Sequence, residues 1–463
     1  MMPAAASLTE GPIARTLVTF TLPILFGNVL QSLNGSVNSV WVGRFLGPAA
    51  LTATANANSI MFLLLGGVFG VSMAATILVA QYVGARDLTA ARRVVGTSAT
   101  LFALIAIGIA IVGWLCAARL LVAMHTPAAA VPLAAAYLRT IFVAIPFLYL
   151  YTFVMAVMRG AGDSRTPFKF LLLSVGLDIG LNPLLIFGFG PIPALGIAGS
   201  ALATLIANAV SLAALVAALY RHRNPLCLRG AELAFLRLDR EILLTLLRKG
   251  LPMGVQLFMI SANALALITL VNRYGTDTTA AYGAAWQLWN YLQMPAFAIG
   301  AAVSSMAAQN VGAGRWDRVA RIAGAGVAFH LAVTGSLVLL TVALNRHALG
   351  LFLAPGPALA IAGHINLTSA WSFIFFGISM VLFGVVRSTG AVIAPVVALF
   401  IALWGVRIPF AVALMPRVGA DAIWWSFPLA SAIAALLAVG YYRLGGWRHA
   451  RMMPAHAAPA AET

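Results

Sequence analysis

The 463 residues are 62% hydrophobic and only 8% charged, with a mean hydropathy of +0.98, against roughly 45–50% apolar and about 25% charged residues in soluble domains. That balance excludes a soluble enzyme or binding module, and apolar stretches long enough to cross a bilayer, about 20 residues each, recur along the whole chain. The formal net charge of +17 would suit a nucleic-acid partner, but 21 of the 28 Lys and Arg residues fall in alternate loops. This is the positive-inside pattern of a membrane protein, and it puts both termini in the cytoplasm.

Glycine, proline and charge mark twelve spans, beginning near residues 16, 51, 92, 132, 168, 196, 243, 278, 319, 358, 391 and 421. The first follows a lone Arg15 and is too long for the apolar core of a signal peptide, so it reads as a retained helix. It carries Gln31, Asn34 and Asn38 on one face, which either lines a cavity or joins helices. Pro23 lacks an N–H, frees the carbonyl of Thr19 and predicts a bend.

Span 2 ends at QYVGA (81–85) and span 4 at RGAGDSRTP (159–167), both read as structural turns, with Asp163 free to pair with Arg159 or Arg165. Span 5 holds LDIGLNPLLIFG (177–188). The longest polar connection, 221–241, follows span 6 and divides the chain near its middle.

Spans 7 and 8 offer Asn263, Trp286, Gln287, Trp289, Asn290 and Met294. These form either a surface for flat cations or an interfacial and packing stripe. His330 in span 9 and His364 in span 10 read as hydrogen-bonded packing residues, with titration near neutrality as the alternative. Arg407 in span 11 either lines a cavity or repels cations there, or else snorkels to the outer surface or pairs with helix-end carbonyls. Cys116 and Cys227 form no framework and no metal spacing.

Of the eleven acids, ten lie in loops, termini or helix ends, and only Asp178 lies within a span. A charge there costs at least about 2.5–3.5 kcal/mol and marks a functional site by default. Asn182 shares its helix face at i+4, and Pro183 leaves the carbonyl of Ile179 without its helical donor. These oxygens suit a proton or a small cation; the alternative is a carboxyl that only holds helix 5 against a neighbour.

The two halves repeat. AQYVGARDLTAARRVVG (80–96) aligns with AQNVGAGRWDRVARIAG (308–324) at an offset of 228, as do Arg159 with Arg387 and Pro167 with Pro395, while Leu22-Pro23 meets Leu251-Pro252 at 229. At 228 the counterpart of Asp178 is Val406, beside Arg407. The fold expected is an all-α integral membrane protein, with twelve transmembrane helices in two six-helix lobes related by a parallel pseudo-two-fold repeat. Such repeats place a substrate cavity between lobes and work by alternating access. The boundaries expected are a cytoplasmic N-terminus (1–15), an N-lobe (16–220), a linker (221–242), a C-lobe (243–443) and a cytoplasmic tail (444–463).

LPILFGNVLQSL and VWVGRFLG in helix 1, QYVGA, MRGAGDSRTP, LDIGLNPLLIFG, GLPMGVQ in helix 7, QNVGAG and GVRIP in helix 11 together resemble the multidrug and toxic compound extrusion (MATE) transporters over essentially the whole chain. The resemblance implies a two-lobe antiporter that expels mostly cationic, amphipathic compounds in exchange for H+ or Na+, with a first helix that bends during transport. The branch of DNA-damage-inducible transporters is similar, and its N-lobe network maps onto Asn38, Tyr137 (in AYLRT), Asp178 and Asn182, and Thr204 (in SALATLI). Two departures matter: the branch has an aspartate where Asn38 stands, and its helix-5 Asn and Asp occur here in reverse order, so one carboxylate replaces a pair. A second branch couples through acids in helices 7 and 10, where this chain has none.

The expected ion-coupling set is therefore Asp178, Asn182, Asn38, Tyr137 and Thr204, with Pro23 and Pro183 as bending points. The cavity candidates are Gln31, Asn34, Asn263, Gln287, Asn290, Met294 and Arg407. A monomer in the bacterial inner membrane is expected, in contact with membrane lipid, handling small-molecule drugs or organic cations and binding no nucleic acid. It needs no cofactor, and no metal other than sodium as a candidate at Asp178. The alternatives are a flippase of lipid-linked precursors, which would favour several cavity arginines where the sequence offers Arg407 and little else, and a membrane enzyme, for which no nucleotide loop or cluster of His, Cys and acids is present.

Overall fold

A computed structural model describes residues 8–123, 131–188, 190 and 193–453. Residues 1–7 and 454–463, the ends of the two expected cytoplasmic segments, lie outside the described residues. In a bilayer every backbone polar group must be satisfied within its own segment, so long apolar runs become helices. They are α1 (Ile13–Leu46), α2 (Pro48–Gly84), α3 (Leu88–Ala123), α4 (Val131–Gly160), α5 (Arg165–Phe187), α6 (Ile197–Arg221), α7 (Arg240–Val271), α8 (Thr276–Gly312) and α9 (Trp316–Ala343). There follow α10 in two pieces, Pro357–Ser369 and Ser372–Ser388, bent by 44°, then α11 (Ile393–Val418) and α12 (Asp421–Leu444).

Every expected span starts within about one helical turn of an observed helix. Among the described residues ten helices are long and apolar enough to cross a membrane, eleven when the bent pair counts as one. The remaining long helix, α8, is the most polar, and it is buried along most of its length, with Ser304, Ser305, Gln309 and Asn310 among its buried side chains. Pro23 and Pro183 are accommodated inside continuous α1 and α5.

By their contacts the described residues form two units, one from 26 to 250 and one of 8–25 with 251–453. In the first, α4 packs against α2, α3 and α6, and α5 packs on α6. The close approaches use glycine: a Cβ on Gly199 of α6 would strike the backbone of Leu185 in α5, and one on Gly160 of α4 would lie 2.6 Å from the Thr76 carbonyl oxygen of α2. In the second unit, the C-terminal piece of α10 packs against α8, α9 and α12. One core joins Leu17 and Phe20 of α1 to Val303, Met306, Phe383 and Trp447. A second core gathers Tyr282, Trp289, Phe373, Trp424 and Phe427.

The repeated turn motifs border two clamped segments. In the first unit α3 holds the linker: Arg92 pairs with Glu232 and donates to the Pro225 carbonyl (2.6 Å), Arg93 pairs with Asp239 (2.7 Å), and Thr100 donates to the Leu236 carbonyl (2.6 Å). In the second unit the chain before α1 is held by the QNVGAG turn and the start of α9. Leu8 N–H donates to Gln309 (3.3 Å), Asn310 donates to the Leu8 carbonyl (3.1 Å), and Arg315 donates to the Thr9 carbonyl (2.6 Å). Asp163 does not pair with arginine, because its carboxylate accepts the backbone N–H groups of Arg165 (3.0 Å) and Thr166 (2.9 Å) and so caps α5.

Residues 401–407 of α11 form a π-helical turn. A π turn takes one residue more than an α turn. The repeat thus enters α11 at an offset of 228, where Pro167 meets Pro395, and leaves it at 229. Counted at 229, the counterpart of Asp178 is Arg407, where 228 gives Val406. Asn34 and Asn263 stand at the same 229.

Candidate ion-coupling site

Three helices of the first unit meet at Asp178, which is 3% exposed. Its Oδ2 accepts from Asn34 Nδ2 and Asn38 Nδ2 of α1, both at 2.9 Å. Its Oδ1 accepts from Thr204 Oγ1 of α6 at 2.9 Å and from Asn182 Nδ2 of α5 at 3.4 Å. Asn182 is fully buried and also donates to the Asp178 carbonyl (2.9 Å) and to Asn38 Oδ1 (3.0 Å), closing the network. Asn34 and Asn38 lie four residues apart on α1, as do Asp178 and Asn182 on α5, so each pair occupies one helix face. The seating of α6 against α5 at Gly199 brings Thr204 to the carboxylate.

A carboxylate with four neutral donors and, among the described residues, no basic partner is held as an acceptor. Two further oxygens of the cluster, Asn34 Oδ1 and Asn182 Oδ1, are buried without a hydrogen-bond partner. Tyr137 is buried on α4, and no hydrogen bond joins it to Asp178 among the described residues.

Four of the five expected coupling residues thus share one network, and Tyr137 is not hydrogen-bonded into it. Asn34, expected only as a cavity candidate, is a direct partner of the carboxylate. Its signal was present in the sequence, at four residues from Asn38 on one face. Gln31 is exposed and outside the network.

The second unit answers with the opposite charge. Arg407 Nη1 donates to Asn263 Oδ1 (3.2 Å), Asn263 Nδ2 donates to the Leu403 carbonyl (2.9 Å), and the guanidinium lies 4.3 Å from the ring of Phe427. Its Nε is buried, so Arg407 turns inward toward α7 and α12 and does not snorkel. Gln287 is exposed, Asn290 accepts from Gln293 on its own helix (2.8 Å), and neither they nor Met294 join Asn263 and Arg407. Trp289 is core, its Nε1 donating to Asn366 (3.0 Å).

His330 is fully buried between Thr334 (3.1 Å) and the Ile374 carbonyl (3.1 Å), with Gly377 against its ring. His364 pairs with Asp421 at the surface (2.8 Å).

The MatE family profile matches this chain twice, over residues 23–184 and 252–413, segments of equal length 229 positions apart at both ends. The chain belongs to the MatE family. As a MATE protein it is a multi-pass membrane transporter and not an enzyme. It is 35% identical over 431 residues to the probable multidrug resistance protein YoeA of Bacillus subtilis (strain 168), with 93% of each chain covered. To the probable multidrug resistance protein YpnP of the same organism it is 30% identical over 445 residues, covering 96% of this chain and 98% of the relative. A crystal structure of a MATE protein in a bent conformation superimposes with a TM-score of 0.88 at 20% identity, covering 96% of this chain and 97% of that one, which shows a shared fold.

Proposed function

We propose that this MATE protein is a secondary active multidrug exporter of the bacterial inner membrane. It works as a monomer with both termini cytoplasmic, and it expels amphipathic or cationic compounds by alternating access against an inward flow of H+ or Na+. The names of its relatives support the multidrug reading. The observation that carries the coupling is Asp178, the one buried carboxylate among the described residues, on which donors from α1, α5 and α6 converge with no basic side chain among those residues to neutralise it.

The coupling follows from the network's chemistry. An ionised Asp178 uses all four donors and ties α1 and α6 to α5. A proton makes the carboxyl a donor, which must give up one of those hydrogen bonds and find an acceptor. Asn34 Oδ1 and Asn182 Oδ1 are the acceptors the cluster supplies, and the same oxygens suit a small hard cation. Ion loading therefore changes what α1 gains by lying against α5, and any drug whose binding prefers the other arrangement is exchanged for the ion. Pro23 and Pro183 lie on the two helices that exchange partners.

The test is uptake of a fluorescent organic cation into inverted proteoliposomes under an imposed proton or sodium gradient. Wild type accumulates the dye under one of the two gradients, which names the ion. Asp178→Asn loses the gradient-driven component while keeping passive binding of the dye. Full gradient-driven uptake by that variant sinks the assignment of Asp178.

A further inference from the structure

We propose that Arg407 forms an oxyanion site in the second unit, shaped to take the carboxylate or phosphate group of an amphipathic molecule. The reading rests on the second unit alone and goes beyond the cation coupling at Asp178.

The first argument is positional. Asn34 bonds Asp178 in one unit, and Asn263 bonds Arg407 in the other, across the same sequence separation of 144. Gly196 and Gly419, with φ of 56° and 65°, precede α6 and α12; eight positions on stand Thr204, which donates to Asp178, and Phe427, which carries the Arg407 guanidinium on its ring. Asn38 and Asn182 map at 229 onto Leu267 and Ala411, both buried and apolar. The repeat has kept the position of the site, inverted its charge and removed the side chains that bind a cation.

The second argument is the state of the guanidinium. Asn263 occupies Nη1 only, and Nε is buried with no partner. The edge formed by Nε and Nη2 is the fork that receives two oxygens of a carboxylate or phosphate side by side. The Tyr282 hydroxyl is also buried without a partner, and its ring neighbours Phe427, on which the guanidinium lies. Among the described residues no carboxylate of this unit lies against Arg407: Glu10 is exposed before α1, Asp277 and Asp317 are exposed, and Asp421 pairs with His364. A cation within a span is expensive unless paired. Stacking on Phe427 offsets part of that cost but supplies no hydrogen bonds. An incoming oxyanion supplies both charge and acceptors.

Binding of 1-pyrenebutyrate and of its methyl ester to the purified protein in phosphatidylcholine nanodiscs tests the site. Wild type is expected to prefer the acid by about tenfold or more, the gain of one charge-assisted bidentate pair. Arg407→Gln removes that preference while leaving ester binding unchanged, and the retained ester binding shows that the variant is folded. Arg407→Lys keeps part of the preference, because an ammonium has charge but no fork. Tyr282→Phe, which leaves the arginine in place, weakens the acid severalfold and spares the ester. An acid preference that survives in Arg407→Gln, or none in wild type, overturns the proposal. Repeating the titration with phosphatidylglycerol in the discs names the source: competition points to lipid phosphate, and unchanged binding points to soluble carboxylates. Asp178→Asn retains the acid preference, so failure of the coupling reading and failure of this one are separable.

Discussion

A carboxylate held by amides and a hydroxyl differs from one held by arginine, because no fixed charge must be abandoned when it changes state. The contribution of each donor is then measurable. Thr204→Val keeps the shape and removes the donor to Oδ1, leaving a buried acceptor short by one bond, so a stability loss of about 1–3 kcal/mol is expected. In proteoliposomes it should weaken gradient-driven uptake, and Thr204→Ser should restore it; normal uptake with valine would remove Thr204 from the coupling set. His330 shows the opposite use of a titratable side chain. Gly377 lies against its ring, so Gly377→Ala should cost about 1–3 kcal/mol by overpacking and lower the melting temperature in detergent. His330→Ala in the same chain should return part of that loss, since the two changes meet at one contact.

At the scale of elements, the site depends on how closely helices approach. Gly199 lets α6 lie against the backbone of α5 near Leu185, five residues before Thr204 in the chain. A methyl group there cannot be absorbed by side-chain rotation, because the obstacle is backbone. Gly199→Ala is therefore expected to move α6 away from Asp178 and to lower gradient-driven uptake more than it lowers the melting temperature. Gly176→Ala on α5, where a Cβ meets nothing, is the control and should match wild type in both measurements. The π turn of α11 is the other element-scale feature. It adds one residue within the helix, which suits the step in the repeat from 228 to 229 that aligns Asp178 with Arg407.

At the scale of the whole molecule, each unit ends in a clamp on an extramembrane segment, and the two clamps are built differently. The linker is held largely by ion pairs in water, Arg92 with Glu232 and Arg93 with Asp239, so Glu232→Gln should cost no more than about 1 kcal/mol. The segment before α1 depends on Asn310, fully buried, which donates to the carbonyls of Leu8 and Met306 and accepts from Arg318. Asn310→Ala leaves buried groups unpaired and should cost about 1–3 kcal/mol. Melting curves of the two variants test the contrast; equal shifts would contradict it.

The amino-acid sequence by itself determined the membrane class, the twelve helical segments and the isolation of Asp178 among the acids. Hydropathy, helix length and loop charge are properties of local composition, and each is imposed by the bilayer on every segment separately. The network around Asp178 was legible in part, since Asn38, Asn182 and Thr204 were matched by motif, and Asn34 was visible as a polar residue on their face. Only the tertiary structure decided that Asn34 bonds Asp178, that His330 is a packing residue, that Asp163 caps a helix, and that Arg407 faces Asn263 and Phe427. Those facts depend on which faces of different helices meet. A single extra residue in one π turn was enough to change the answer for Arg407, because it rotates a side chain's address in the repeat without altering any local signal of composition or periodicity.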